Sequence, residues 1–215
     1  MISKEWQFID NQKRHTQDGC QLVGLMTSVG RGRRPCHAID VGCGDGIIAF
    51  DILKDKKATS VVAIDILDSA VQTSIENLKS YLLSGKTQVY RVSASKFFGQ
   101  KENWGKFHRF VINPPFYAHG SGRANKSKLD QIARHDKSLH LKLWARGASR
   151  LLKQGGQLFC VFPSERLAEA IAELSRLSLE PKELWWLRHD RRKRRFFLRA
   201  VLGAKPGLIV HLDHV

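Results

Sequence analysis

His37-Ala-Ile-Asp40-Val-Gly42-Cys-Gly44-Asp-Gly46-Ile47 reads as an apolar strand, a turn with three glycines, and the first residue of a helix, and this stretch decides the fold. Glycine is required in such a turn for two reasons. Without a Cβ it adopts the φ values of a tight bend, and it lets a ligand lie against bare backbone N–H groups beside a helix N-terminus. The spacing selects the ligand. A dinucleotide fingerprint is G-x-G-x-x-G, whereas Gly42, Gly44 and Gly46 form G-x-G-x-G behind the acidic Asp40, the pattern associated with S-adenosylmethionine.

Working outward, short apolar runs alternate with amphipathic stretches. Strands are expected at His37–Val41, Val61–Ile66, Gln88–Val92, Arg109–Ile112 and Gln157–Phe162. Helical spacing covers Ile47–Leu53, Ser69–Leu83, Leu139–Leu152 and Glu165–Leu177, with Gly155-Gly156 as a turn before the last of those strands. This alternation predicts an α/β fold, a Rossmann-like doubly wound sheet that is mostly parallel. Glu183–Arg188 and Arg195–Leu202 flank a basic turn and Leu208–Leu212 follows Lys205-Pro206-Gly207, so an antiparallel hairpin edge is expected at the C-terminus. Neither repeats nor a linker divide the chain, so 1–215 reads as a single domain, with 1–35 a helical leading segment and 36–215 the core.

The charge balance narrows the partners. Across 215 residues, 36 Lys and Arg stand against 20 Asp and Glu, a formal charge of +16 that points to a polyanion. Nucleic acid leads and an acidic membrane surface comes second; no apolar run reaches the length of a spanning helix and Met1–Asp10 lacks a signal peptide's apolar core, so a cytoplasmic protein is expected. Cys20, Cys36, Cys43 and Cys160 are scattered and fit reduced thiols, and without HxxxH or HxH spacing no metal site is expected. The densest basic run is Arg188-His-Asp-Arg191-Arg192-Lys193-Arg194-Arg195, a candidate RNA-binding surface, with Arg31, Arg33 and Arg34 forming another. The Gly-, Ser-, Asn- and Lys-rich segment Tyr117–Lys128 could order over a flipped-out base. Trp185 and Trp186 suit the core, though alternation on a strand would leave one ring available for stacking.

Two further features suit methyl transfer. Asp65, at the tip of Val61-Val-Ala-Ile64, is placed to accept from a cofactor ribose, or to cap the helix that follows. Asn113-Pro114-Pro115-Phe116 follows the strand Arg109–Ile112 at the carboxyl edge, where doubly wound folds place ligands. The exocyclic amine of adenine is a poor nucleophile because its lone pair is conjugated with the ring. The side-chain oxygen of Asn113 and the carbonyl of Pro114 offer two acceptors for its N–H groups, Pro115 stiffens the turn, and Phe116 offers an aromatic face. The methylated amine loses its proton readily, so in-line approach matters more than a strong base.

On these residues the chain resembles the class I S-adenosylmethionine-dependent methyltransferases, and most closely the bacterial tRNA(Val) adenine-N6 methyltransferase family. The likeness covers Gln12–Asp18, Asp40–Gly46, Asp65, Asn113–Phe116, Ile132–Asp136, Leu151–Gly156 and Val161–Leu167. It implies S-adenosyl-L-methionine as cofactor, bound by Asp40, Gly42, Gly44, Gly46 and Asp65, with Asp18 or its neighbour Thr16 at the methionine end. It also implies an adenine beside a tRNA anticodon as the target, held by Asn113–Phe116. Two departures stand out: His15 replaces an aromatic residue, and Ser95 stands where many relatives carry an acid against the cofactor adenine. Ribosomal RNA adenine methylation and protein glutamine methylation are alternative reactions. The alternative of another class is a non-catalytic RNA-binding protein.

Overall fold

The fold of the computed structural model begins from five parallel strands, of which the central His37–Val41 and Phe107–Ile112 are largely apolar and almost wholly buried while the edge strand Thr87–Arg91 meets water. The described residues are 16–27, 35–114, 140–187 and 195–211. Strands β1 (His37–Val41), β2 (Ser60–Asp65), β3 (Thr87–Arg91), β4 (Phe107–Ile112) and β5 (Leu152–Pro163) fall where the apolar runs place them. Three more follow, β6 (Leu179–Leu187), β7 (Arg195–Leu202) and β8 (Ile209–His211), giving the sheet order β3-β2-β1-β4-β5-β7-β6-β8. Pairing is parallel from β3 to β5, and β7 lies antiparallel between β5 and β6, so the C-terminal hairpin is present. The outermost β8 runs parallel to β6.

Alternation along each strand feeds two apolar layers. On one face Ile39, Val41, Phe110, Ile112, Leu158, Cys160, Phe162, Phe196 and Leu198 pack with Trp144 and Leu174. On the other, Ala38, Val61, Ala63, Val111, Phe159, Val161 and Phe197 pack with Leu22, Met26, Ile48 and Ile52. Helices α1 (Thr16–Gly24), α2 (Ile47–Lys54), α4 (Lys79–Leu83), α5 (Ala94–Gly99), α6 (Leu141–Leu151) and α7 (Leu167–Arg176) contribute to these layers, and α3 (Asp68–Asn77) lies between β2 and α4 in the chain.

The structure departs from the sequence expectations in local ways. The stretch Ser69–Leu83 divides into α3 and α4 around the fully buried Leu78. Helix α5 was not expected; Ser93 caps it by accepting from the Lys96 N–H at 3.3 Å, which satisfies one of the unpaired donors of its first turn. Gly155-Gly156 lies inside β5 rather than ahead of it, where the register against β4 shifts between Phe107 and Arg109. Among the described residues no helix is long and apolar enough to cross a membrane. All four cysteines are free thiols.

Candidate active site at the carboxyl edge of the sheet

The β1–α2 turn is built from the backbone outward. Gly42, Gly44 and Gly46 have φ of 70°, 57° and 82°, a left-handed conformation that side chains strongly disfavour. The Gly42 and Cys43 N–H groups both donate to the Ile64 carbonyl, at 2.9 and 3.0 Å, fastening the turn to the tip of β2. A Cβ on Gly46 would come within 3.0 Å of Ser74 Oγ, whereas one on Gly44 would meet nothing within 4 Å. The turn is therefore packed on its inner side and open at Gly44.

Asp65 binds the turn from the neighbouring strand. Its Oδ2 accepts from the Gly44 N–H at 3.0 Å and its Oδ1 from the Leu67 N–H at 2.9 Å. Asp65 thus orders the approach to α3, whose N-cap position is Leu67, and also joins the glycine turn. A carboxylate offers about four acceptor sites, so each oxygen keeps capacity for a further donor.

Asp40 is the least expected group. It is 0% exposed, on the α2 face of β1, and neither carboxylate oxygen has a hydrogen-bond partner among the described residues. Burial pushes its pKa up to about 8; the Ala49 N–H offsets this without reaching hydrogen-bond geometry, and Asp65 and Asp45 raise it further.

Helix α3 contributes residues that the sequence reading missed. Ser74 Oγ donates to the Gly44 carbonyl at 2.8 Å, and Asn77 Nδ2 donates to the Asp45 carbonyl at 2.9 Å. The signal was present in the helical spacing: Val71, Ser74 and Leu78 share one face, and Ser74 interrupts its apolar character at a fully buried position.

The register places the second corner. Val41 pairs with Ile112 and also with Ile64, so Gly42, Asn113 and Asp65 follow at the same level on adjacent parallel strands. Neighbouring strands lie about 4.8 Å apart, so these residues leave the sheet at one edge and side by side. Asn113 is half-buried and Pro114 buried. Pro115 and Phe116 lie outside the described residues, as do Tyr117–Lys128, Arg134 and His135.

The other sequence candidates take different positions. Thr16 opens α1, and Asp18, two residues along, forms an ion pair with Arg195 at the start of β7. Arg195 thus turns inward to α1, while Arg188, Arg191, Arg192, Lys193 and Arg194 lie outside the described residues. Ser95 is exposed on α5 with its Oγ 3.3 Å from that of Ser93, just past the carboxyl end of β3. Trp185 stacks on His211 with ring centroids 4.8 Å apart and also meets the core, so it is committed to packing. Among the described residues no group of His, Cys, Asp and Glu has the arrangement of a metal site.

These features together fit S-adenosylmethionine. The ligand carries a ribose, for which Asp65 has spare acceptors beside the open side of the turn at Gly44.

Comparison with known proteins agrees with this geometry. Residues 22–177 match the family model described as "Methyltransferase small domain". A protein of Christiangramia forsetii named tRNA1(Val) (adenine(37)-N6)-methyltransferase is 27% identical over 150 residues, covering 70% of this chain and 62% of that protein. A Flavobacterium psychrophilum protein of the same name is 24% identical over 160 residues, covering 74% and 66%. The chain thus spans 62 to 66% of the length of these curated relatives. Among solved structures, that of a predicted O-methyltransferase from Agrobacterium tumefaciens superimposes with a TM-score of 0.63 at 18% identity, covering 92% of this chain and 86% of that one. This last likeness establishes the mostly parallel methyltransferase-type fold.

Proposed function

Because this chain belongs to the methyltransferase small domain family, we propose that it transfers the methyl group of S-adenosylmethionine to the exocyclic N6 amine of an adenine in RNA. The names of its relatives favour tRNA as the substrate and position 37, beside the anticodon, as the target. The observation that carries the reading is the register of β1 against β4, which sets the Gly42 turn beside Asn113.

In this reading Gly42, Gly44 and Gly46 let the cofactor approach the backbone, Asp65 receives its ribose hydroxyls, and Asp40 lies behind its cationic methionine portion. The bound cofactor supplies an electrophilic methyl carbon. Asn113 accepts one N–H of the adenine amine through its side-chain oxygen and the Pro114 carbonyl accepts the other, which holds the nitrogen lone pair toward that carbon. Phe116 gives the base a surface to stack on. No residue of this chain is required as a strong base, because the methylated amine would release its proton to water readily. The strong positive charge supports an RNA rather than a protein substrate.

Incubation with tritium-labelled cofactor and total RNA, followed by nucleoside analysis, tests the reading. Label in N6-methyladenosine from the tRNA fraction is expected. Label in protein, or in another nucleoside, overturns it.

A further inference from the structure

The amino edge of the sheet, opposite the proposed active site, carries a second constellation. A cleft of about 700 Å³ opens there between the first residues of β1, β4 and β5, with His37, His108, Arg109, Lys153 and Gln154 in its lining. Strand β1 has five residues, so its first residue, His37 in the cleft lining, lies about 16 Å from the glycine turn.

The hydrogen bonds fix the protons in this cleft. His108 Nδ1 accepts from the His37 backbone N–H at 3.0 Å, so the neutral ring carries its proton on Nε2. That Nε2 lies 3.4 Å from Lys153 Nζ, which is also a donor. Two N–H donors therefore converge, and a shared oxyanion would satisfy both. The surroundings agree. The His108 pKa is lowered by burial and then by Lys153, His37 and Arg109, all of them cationic or able to become so. Among the described residues the Arg109 guanidinium donates only to neutral acceptors, the Lys57 carbonyl and Thr27 Oγ1, so its charge is not neutralised locally.

We propose that this cleft binds a backbone phosphate of the RNA substrate between His108 Nε2 and Lys153 Nζ, anchoring the RNA at the sheet edge remote from the target base. The proposal rests on the RNA reading above. Lys153 acts in binding and not in the reaction, and since it is exposed its replacement leaves the fold intact.

The test follows the affinity for labelled tRNA by fluorescence anisotropy across a KCl series, using the wild-type chain, Lys153→Gln, Lys153→Arg, and Lys79→Gln as an exposed control on α4. Loss of one phosphate contact lowers the steepness of log Kobs against log salt by about 0.7 to 0.9. That change is expected for Lys153→Gln alone, with recovery in Lys153→Arg, a raised KM for tRNA and an unchanged kcat. The His108 ring signals in NMR are expected to move on adding tRNA. A wild-type slope in Lys153→Gln while the wild-type chain binds tRNA overturns the cleft assignment and leaves the RNA reading standing. A wild-type chain that binds no RNA overturns both. A His108 signal that moves with micromolar inorganic phosphate and not with tRNA assigns the cleft to a free anion and also overturns the proposal.

Discussion

Replacing Asp40 by Asn should change how stability depends on pH, and the size of the change follows from the position of the group. In the unfolded chain the carboxyl ionises at its ordinary value of 3.8; in the fold, with 0% exposure and no hydrogen-bond partner among the described residues, it holds its proton until about pH 8. The folded state therefore binds more protons than the unfolded state between about pH 4 and pH 8. Stability is full below the unfolded value and declines as pH rises through the folded one. Each unit of separation corresponds to about 1.4 kcal/mol, so the ceiling is roughly 6 kcal/mol, with local relaxation and water entry reducing it to a few. Asn cannot ionise and does not pass through this decline. Urea unfolding at pH 5, 6, 7 and 8 without cofactor should show the wild-type chain losing stability with rising pH relative to Asp40→Asn, by about 2 to 4 kcal/mol across the series. Parallel pH profiles for the two chains would refute the buried-acid argument.

The remaining predictions concern the turn and its partners. Asn113→Ala should leave cofactor affinity nearly unchanged in calorimetry and lower the rate of methyl transfer by roughly a hundredfold or more, as loss of a positioned acceptor does; unaltered turnover removes Asn113 from the mechanism. Asp65→Ala should weaken cofactor binding and also lower stability by about 2 kcal/mol, because the Gly44 and Leu67 N–H groups lose a charged acceptor. Gly46→Ala sets a side chain at φ 82° and 3.0 Å from Ser74 Oγ, and a loss of about 1 to 2 kcal/mol is expected in thermal unfolding, where an unshifted midpoint would contradict it.

Much of this architecture is legible along the chain because parallel strands buried on both faces must be apolar throughout. His37–Val41 and Arg109–Ile112 state their structure without knowledge of their neighbours, and glycines at alternate positions state the turn between β1 and α2. What the sequence withholds depends on residues that meet only in three dimensions. The pairing of Asp18 with Arg195 joins the two ends of the chain, and nothing local in either segment announces it. Ser74 interrupts an apolar helix face, but the glycine turn that it and Asn77 bind is far from both in sequence. Asp40 reads as a ligand residue, but its lack of a protein partner is a property of the closed core around it. Helix α5 is only six residues long, too short for periodicity to reveal, and packing of Phe97 and Phe98 holds it. The converging donors of His108 and Lys153 lie on different strands, and the Gly155-Gly156 segment that looked like a plain turn helps to line the cleft around them.

The central claim is that the glycine turn and the Asn113 corner serve one reaction centre on adjacent strands. Crystals grown with sinefungin, a non-transferable cofactor analogue, and adenosine test it most directly. The account predicts the analogue along Gly42–Gly46 with its ribose at Asp65, its amine on the Asp40 side, and the adenosine amine at Asn113. An analogue bound away from this turn, or an adenosine amine bound away from Asn113, would contradict it.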